Sequence, residues 1–141
     1  MNIRLESDWA GGKRGTGTIK SENLDAKISI PAIYGGSGTD SNPKELFVAS
    51  TAACFIATLT AIIEGKKLSI ESLSVQTEAN ASDDDFSIVH HAKITLPADA
   101  SHEDISRAEL LIKSADEICT VGNLARKAGV KVEAVAKIAC L

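Results

Sequence analysis

Residues 42–64, Asn-Pro-Lys-Glu-Leu-Phe-Val-Ala-Ser-Thr-Ala-Ala-Cys-Phe-Ile-Ala-Thr-Leu-Thr-Ala-Ile-Ile-Glu, constrain the fold most. Pro43 suits a first helical turn, where its missing N–H has no partner to lose. Glu45 stands in the same turn, where the helix dipole favours an anion. From Leu46 to Ile63 nearly every residue is apolar or small, and Gly65 supplies a stop. A helix apolar on all sides is predicted to be buried. The run is short and carries Ser and Thr, which argues against a membrane span. Cys54 lies near its middle beside Ala52, Ala53 and Ala57, which leave room around the sulfur. Taken alone, such a cysteine reads as a small core hydrophobe.

The rest of the chain supplies the strands. Residues 3–9 and Thr16 to Lys20 are expected to form a hairpin around the glycine-rich turn 11–15. Leu24, Ala26, Ile28 and Ile30 alternate with polar residues up to Pro31, a half-buried strand. A strand is expected over 68–79, irregular near Ser72. Another follows over 86–96, with Phe86, Ile88, His90, Ala92, Ile94 and Leu96 on one face. Ser101 and Asp104 have capping-box spacing. Ile105, Ala108, Ile112, Ala115 and Cys119 then mark one stripe of a second helix, with Gly122 as its terminator. A last strand is expected over 130–138. This order predicts an α+β fold in one domain over residues 1–141, with two long helices carrying Cys54 and Cys119.

Composition narrows the function classes. The net charge of −4 and the scarcity of aromatics (one Trp, one Tyr, three Phe) argue against a nucleic-acid partner. The first residues carry no apolar signal segment, so the expectation is a cytoplasmic protein without a membrane partner. Three widely spaced cysteines are no disulfide framework, and in a reducing compartment a disulfide is more often transient or catalytic than structural. His90 and His91 point to opposite faces of a strand and do not make a metal pair; no metal or other cofactor is expected. His90 is expected as a satisfied core histidine and His91 as an exposed one. Nothing in the spacing favours a Cys-His-Asp hydrolase.

Two constellations remain. Cys54 and Cys119 are either unrelated core cysteines or a pair brought together by packing of their helices. Arg14, in the glycine-rich turn, is either a solvated side chain or a fixed cation for a thiolate, which lowers a cysteine pKa. Cys140 reads as a tail residue.

The motifs resemble one family. Residues 41–55, Ser-Asn-Pro-Lys-Glu-Leu-Phe-Val-Ala-Ser-Thr-Ala-Ala-Cys-Phe, resemble the Asn-Pro-Glu-Glu-Leu…Ala-Ala-Cys-Phe motif of the OsmC/Ohr proteins. Residues 13–18, Lys-Arg-Gly-Thr-Gly-Thr, resemble the Lys-Arg-Gly-x-Gly-Thr of the OsmC branch. Residues 115–123 are similar to the second cysteine motif, Ala-x-x-x-Cys-Pro-Val-Ser-x. The resemblance implies an OsmC-like fold of antiparallel sheets in an intertwined homodimer, with active sites at the subunit interface. It implies a thiol peroxidase that acts on organic hydroperoxides, with hydrogen peroxide left open, and uses no cofactor. Carried over, Cys54 is the peroxidatic cysteine and Cys119 the resolving one. Arg14 holds the thiolate, Glu45 is the nearest candidate for its carboxylate partner, and a dithiol, such as a lipoylated protein, is the reductant. Two departures stand out: Lys44 occupies the position of the family glutamate, and Thr120 that of the proline after the second cysteine. They motivate a second reading, a non-catalytic domain that binds a small apolar ligand.

Overall fold

The computed structural model describes residues 1–141. They form two compact units, Met1–Phe47 and Val48–Leu141. The first holds a three-stranded antiparallel sheet of β1 (Glu6–Ala10), β2 (Thr16–Lys20) and β3 (Asp25–Ser29). Strands β1 and β2 pair from Glu6 opposite Lys20 to Ala10 opposite Thr16. The expected hairpin turn is present, tightened into a 3₁₀ turn over Gly12–Arg14. Gly11 takes φ +90°, a left-handed conformation suited to glycine. A Cβ at Gly15 would collide with the Ala10 carbonyl. The indole of Trp9 donates to the Gly12 carbonyl at 2.6 Å and pins the turn.

Helix α1 runs unbroken over Pro43–Gly65, starting and stopping where the sequence places it. Asn42 caps it, its Oδ1 accepting from the Glu45 N–H at 2.9 Å. Its most apolar 18-residue window has a mean hydropathy of 2.2, long and apolar enough to cross a membrane. Core helices of soluble proteins pass that test too. The expectation of burial on all sides is corrected. One stripe, Thr51, Phe55, Leu59 and Ile63, is buried, whereas Ala53, Ala57 and Ala61 are exposed. A single helix lays one face on a sheet, and 3.6-residue periodicity puts these four positions on that face.

The second unit is built on β4 (Ser72–Ala81), β5 (Phe86–Leu96) and β6 (Lys131–Cys140), in the order β4-β5-β6. Strand β4 begins at Ser72, so residues 68–71 precede it rather than belong to it. Strand β5 matches the alternation: Ile88, His90, Ala92, Ile94 and Leu96 are buried, while His91 and Lys93 are exposed. β4 and β5 are antiparallel, but β5 and β6 are parallel, Ile88 opposite Val132 and Leu96 opposite Cys140. An all-antiparallel arrangement is thus corrected to one antiparallel and one mixed sheet. A parallel pair needs a crossover, and helices α2 (His102–Ile118) and α3 (Thr120–Lys127) supply it. The capping box at Ser101 and Asp104 forms as predicted. Gly122 does not terminate α2; it lies within α3, the helix that the sequence analysis missed. Cys140 is the last residue of β6, exposed, rather than a tail residue.

The core of this unit joins the α1 stripe to Ala92, Ile94 and Leu96 of β5 and to Ala108, Leu111, Ile112, Ala115 and Cys119. Burying a side chain such as Phe55 contributes about 1.5–3 kcal/mol. The Phe55 ring stacks on the His90 imidazole, with centroids 4.7 Å apart.

Candidate functional site

Cys54 sits on α1, half-buried, one position before Phe55 and therefore beside the core stripe. It packs against the cluster that contains Cys119. Cys119 is buried and lies not on a long helix but at the break between α2 and α3, with φ −60° and ψ 112°. That extended conformation ends one helix and begins the next. Asn123 fixes the break: its N–H donates to the Cys119 carbonyl at 2.9 Å, and its side-chain amide donates to the Glu117 carbonyl at 3.0 Å.

The two cysteines are brought together and are chemically unequal. Burial acts to raise the Cys54 pKa, but hydrogen bonds outweigh it. They come from the Cys119 thiol, the Val121 N–H, the Thr58 side chain and the Thr120 N–H, and Cys54 sits below its ordinary value. The Thr58 hydroxyl, one turn along α1, is 4.0 Å from the sulfur. Cys119 moves the other way. Burial and its hydrogen bond to Cys54 push it up to about 11, against opposing donation from the Gly122 and Val121 N–H groups. Of the two thiols, Cys54 is therefore the first to lose its proton. Both cysteines are free thiols.

Of the remaining candidates, Arg14 ends the turn of the first unit and is exposed. Glu45 is exposed in the first turn of α1. Because α1 is unbroken, nine residues of helix, about 14 Å of rise, separate Glu45 from Cys54. Lys44 donates to the Tyr34 hydroxyl at 3.1 Å, its ammonium 5.6 Å from the ring centre. In the same unit a cavity of ≈ 500 Å³ is lined by Trp9, Ile19, Ile28, Ile30, Tyr34 and Leu46 among others.

One partner of Cys54, the Thr58 hydroxyl, was legible in the sequence but went unread, since residues four apart share a helix face.

His90 is a satisfied core histidine, as expected, its Nδ1 2.9 Å from the Thr77 hydroxyl. Exposed His91 lies 3.9 Å from Glu78.

The chain is similar to known proteins in sequence and in fold. The family described as OsmC-like protein matches residues 36–135. YmaD of Bacillus subtilis, itself uncharacterised, is 35% identical over 122 residues, covering 83% of this chain and 81% of its own. The organic hydroperoxide resistance protein of Xanthomonas axonopodis pv. citri is 32% identical over 120 residues, covering 82% of each. The crystal structure of an organic hydroperoxide resistance protein OsmC from Legionella pneumophila superposes with a TM-score of 0.70 at 25% identity, covering 95% of this chain and 96% of that one. With the family's pattern spanning both cysteines and its fold reproduced end to end, this chain belongs to the OsmC/Ohr family.

Proposed function

We propose that the protein is a thiol peroxidase that reduces organic hydroperoxides. The observation that carries this reading is the Cys54–Cys119 pair: adjacent thiols, one below its ordinary pKa and the other pushed up to about 11. A thiolate is the nucleophile that peroxide chemistry needs, and a neighbouring thiol is what its oxidised product needs. Relatives named for organic hydroperoxide resistance support the substrate class.

The Cys54 thiolate attacks the distal oxygen of R–O–OH. The O–O bond breaks, an S–O bond forms, and the alkoxide takes a proton to leave as alcohol. Cys54 is then a sulfenic acid. The Cys119 sulfur attacks it, the disulfide forms, and the sulfenic hydroxyl leaves with the thiol proton as water. An external dithiol, such as a lipoylated protein, returns two electrons and two protons. In this reading Arg14 is the fixed cation that favours the thiolate and Glu45 is its carboxylate partner. Glu45 does not reach Cys54 along its own unbroken helix, so a second copy supplies the carboxylate. The functional unit is thus a homodimer, working in the reducing cytoplasm.

The test is intact mass after one equivalent of cumene hydroperoxide, followed by non-reducing peptide mapping. A Cys54–Cys119 disulfide formed within seconds is expected, and its absence would sink the reading. Cys54→Ser should abolish peroxide consumption, and Cys119→Ser should stop after one turnover with a trappable sulfenic acid.

A second reading, a non-catalytic binder of small apolar molecules, is favoured by the apolar cavity of the first unit. It predicts that cumene hydroperoxide leaves both cysteines as thiols.

A further inference from the structure

We propose that Thr58 is a further catalytic residue: its hydroxyl accepts the distal O–H of the hydroperoxide and sets that oxygen against the Cys54 sulfur. The inference deepens the peroxidase reading and rests on it.

Inside a helix, a threonine hydroxyl ordinarily turns back onto a carbonyl three or four residues before it. Two threonines of α1 do so: Thr51 donates to the Val48 carbonyl at 2.7 Å, and Thr60 donates to the Ile56 carbonyl at 2.7 Å. Thr58 departs from this habit. Its hydroxyl oxygen stands 4.0 Å from the Cys54 sulfur, one turn back on the same face of α1. Both residues are half-buried, at the border of the core stripe. The contact favours a charged sulfur, since the Thr58 side chain acts to lower the Cys54 pKa.

The length of the contact carries the inference. A hydrogen bond between two oxygens spans about 2.8 Å, and a reacting pair of atoms about 3–3.5 Å. An oxygen that meets both conditions, one to the hydroxyl and one to the sulfur, closes a triangle on the 4.0 Å side. The gap is therefore long for a hydroxyl and a sulfur alone, and of the right size to seat one peroxide oxygen against both. A hydroxyl also has the polarity for the two neighbours at once. It donates its own proton to the thiolate and accepts the proton of the peroxide. The Cys54 electron pair then forms the S–O bond to the distal oxygen as the O–O bond breaks. The distal oxygen keeps its proton and becomes the sulfenic hydroxyl, beside Thr58. The electron pair of the broken bond leaves on the alkoxide, which takes a proton from water.

The experiment compares Thr58→Val, which removes the hydroxyl at nearly constant shape, with Thr58→Ser, which keeps it. Two rates at Cys54 are measured against pH in each reduced protein. One is the loss of alkylatable thiol to cumene hydroperoxide; the other is the reaction with iodoacetamide, which has no O–OH group. Each is divided by the thiolate fraction that the alkylation profile gives. Thr58→Val should react roughly tenfold more slowly with peroxide, the effect of about one lost hydrogen bond. With iodoacetamide it should stay within about twofold of the parent, because thiolate nucleophilicity varies only slowly with thiol pKa. Thr58→Ser should recover the peroxide rate. Thr58→Ala, a second variant without the hydroxyl, should match Thr58→Val and serves if that variant does not fold. An unchanged peroxide rate without the hydroxyl, an equal fall with both reagents, or a Thr58→Ser as slow as Thr58→Val would overturn the proposal. A parent protein that alkylates at Cys54 yet ignores peroxide ends the peroxidase reading and this role together. A reactive parent beside an equally reactive Thr58→Val ends this role alone.

Discussion

His90 shows how far a single residue can be argued. It is buried, stacked on Phe55 and bonded to Thr77, with Asp116 and Arg126 in range. Burial lowers its pKa, the attraction of Asp116 opposes this, and Arg126 adds to the lowering, so the folded ring stays neutral. The sign follows from proton binding. Below the ordinary value of 6.5 the unfolded chain takes up a proton that the folded chain resists. Stability is therefore complete above about pH 6.5 and declines as the pH falls below it. Thermal unfolding between pH 5 and 8 should show this loss, and His90→Gln should flatten it. An equal slope in both proteins would remove His90 as its cause. His90 was readable as a core residue from strand alternation. Its stacking on Phe55 was not, because that contact joins a helix and a strand far apart in sequence.

At the scale of elements, the break between α2 and α3 sets the position of Cys119. Arg126 holds it. Its guanidinium donates to the Asp116 carboxylate at 2.8 Å and to the Asp116 carbonyl at 3.0 Å. It also reaches the Asn123 side chain at 2.7 Å and the Val132 carbonyl at 2.8 Å. One side chain thereby ties α2, α3 and β6 together. The ion pair is only partly buried, 30% exposed on Arg126 and 17% on Asp116, which reduces its net value. Arg126→Ala should cost about 1–3 kcal/mol, from the lost hydrogen bonds and the partners left unsatisfied. Urea unfolding measures the cost, and amide exchange at residues 120–123 should quicken more than in β5. Uniform protection would show that the clamp does not act locally. The sequence analysis placed one helix here with Gly122 as its end. Glycine is a common helix stop, but Asn123 and Arg126 hold the chain helical beyond it.

At the scale of the whole molecule, the apolar surface left open by one chain is the main observation. Ala53, Ala57 and Ala61 of α1 are exposed, as are Trp9, Ile33 and Leu24 in the first unit. In the homodimer proposed above, this exposed helix face is the surface that a second copy covers. The homodimer proposed above predicts a solution mass twice the 14.8 kDa of the chain. Ala57→Glu, on the exposed face, should shift light scattering towards monomer and leave the folded core intact. A monomeric parent protein would remove the second copy from the proposed site.

By itself, the sequence determined the extent of α1, the alternation of β5, the hairpin around Gly11–Gly15 and the capping box of α2. Each is encoded within a few residues, by periodicity or by a local hydrogen bond. It also determined which residue types could carry redox chemistry, through Cys54, Cys119 and the motifs around them. Tertiary structure alone decided that β6 runs parallel to β5 and that α1 buries only one stripe. It alone brought Cys119 to a helix break and packed Cys54 against the core cluster that contains Cys119. These are contacts between distant segments, several of them made by backbone groups that every residue but proline carries. No pattern of side chains along the chain could have announced them.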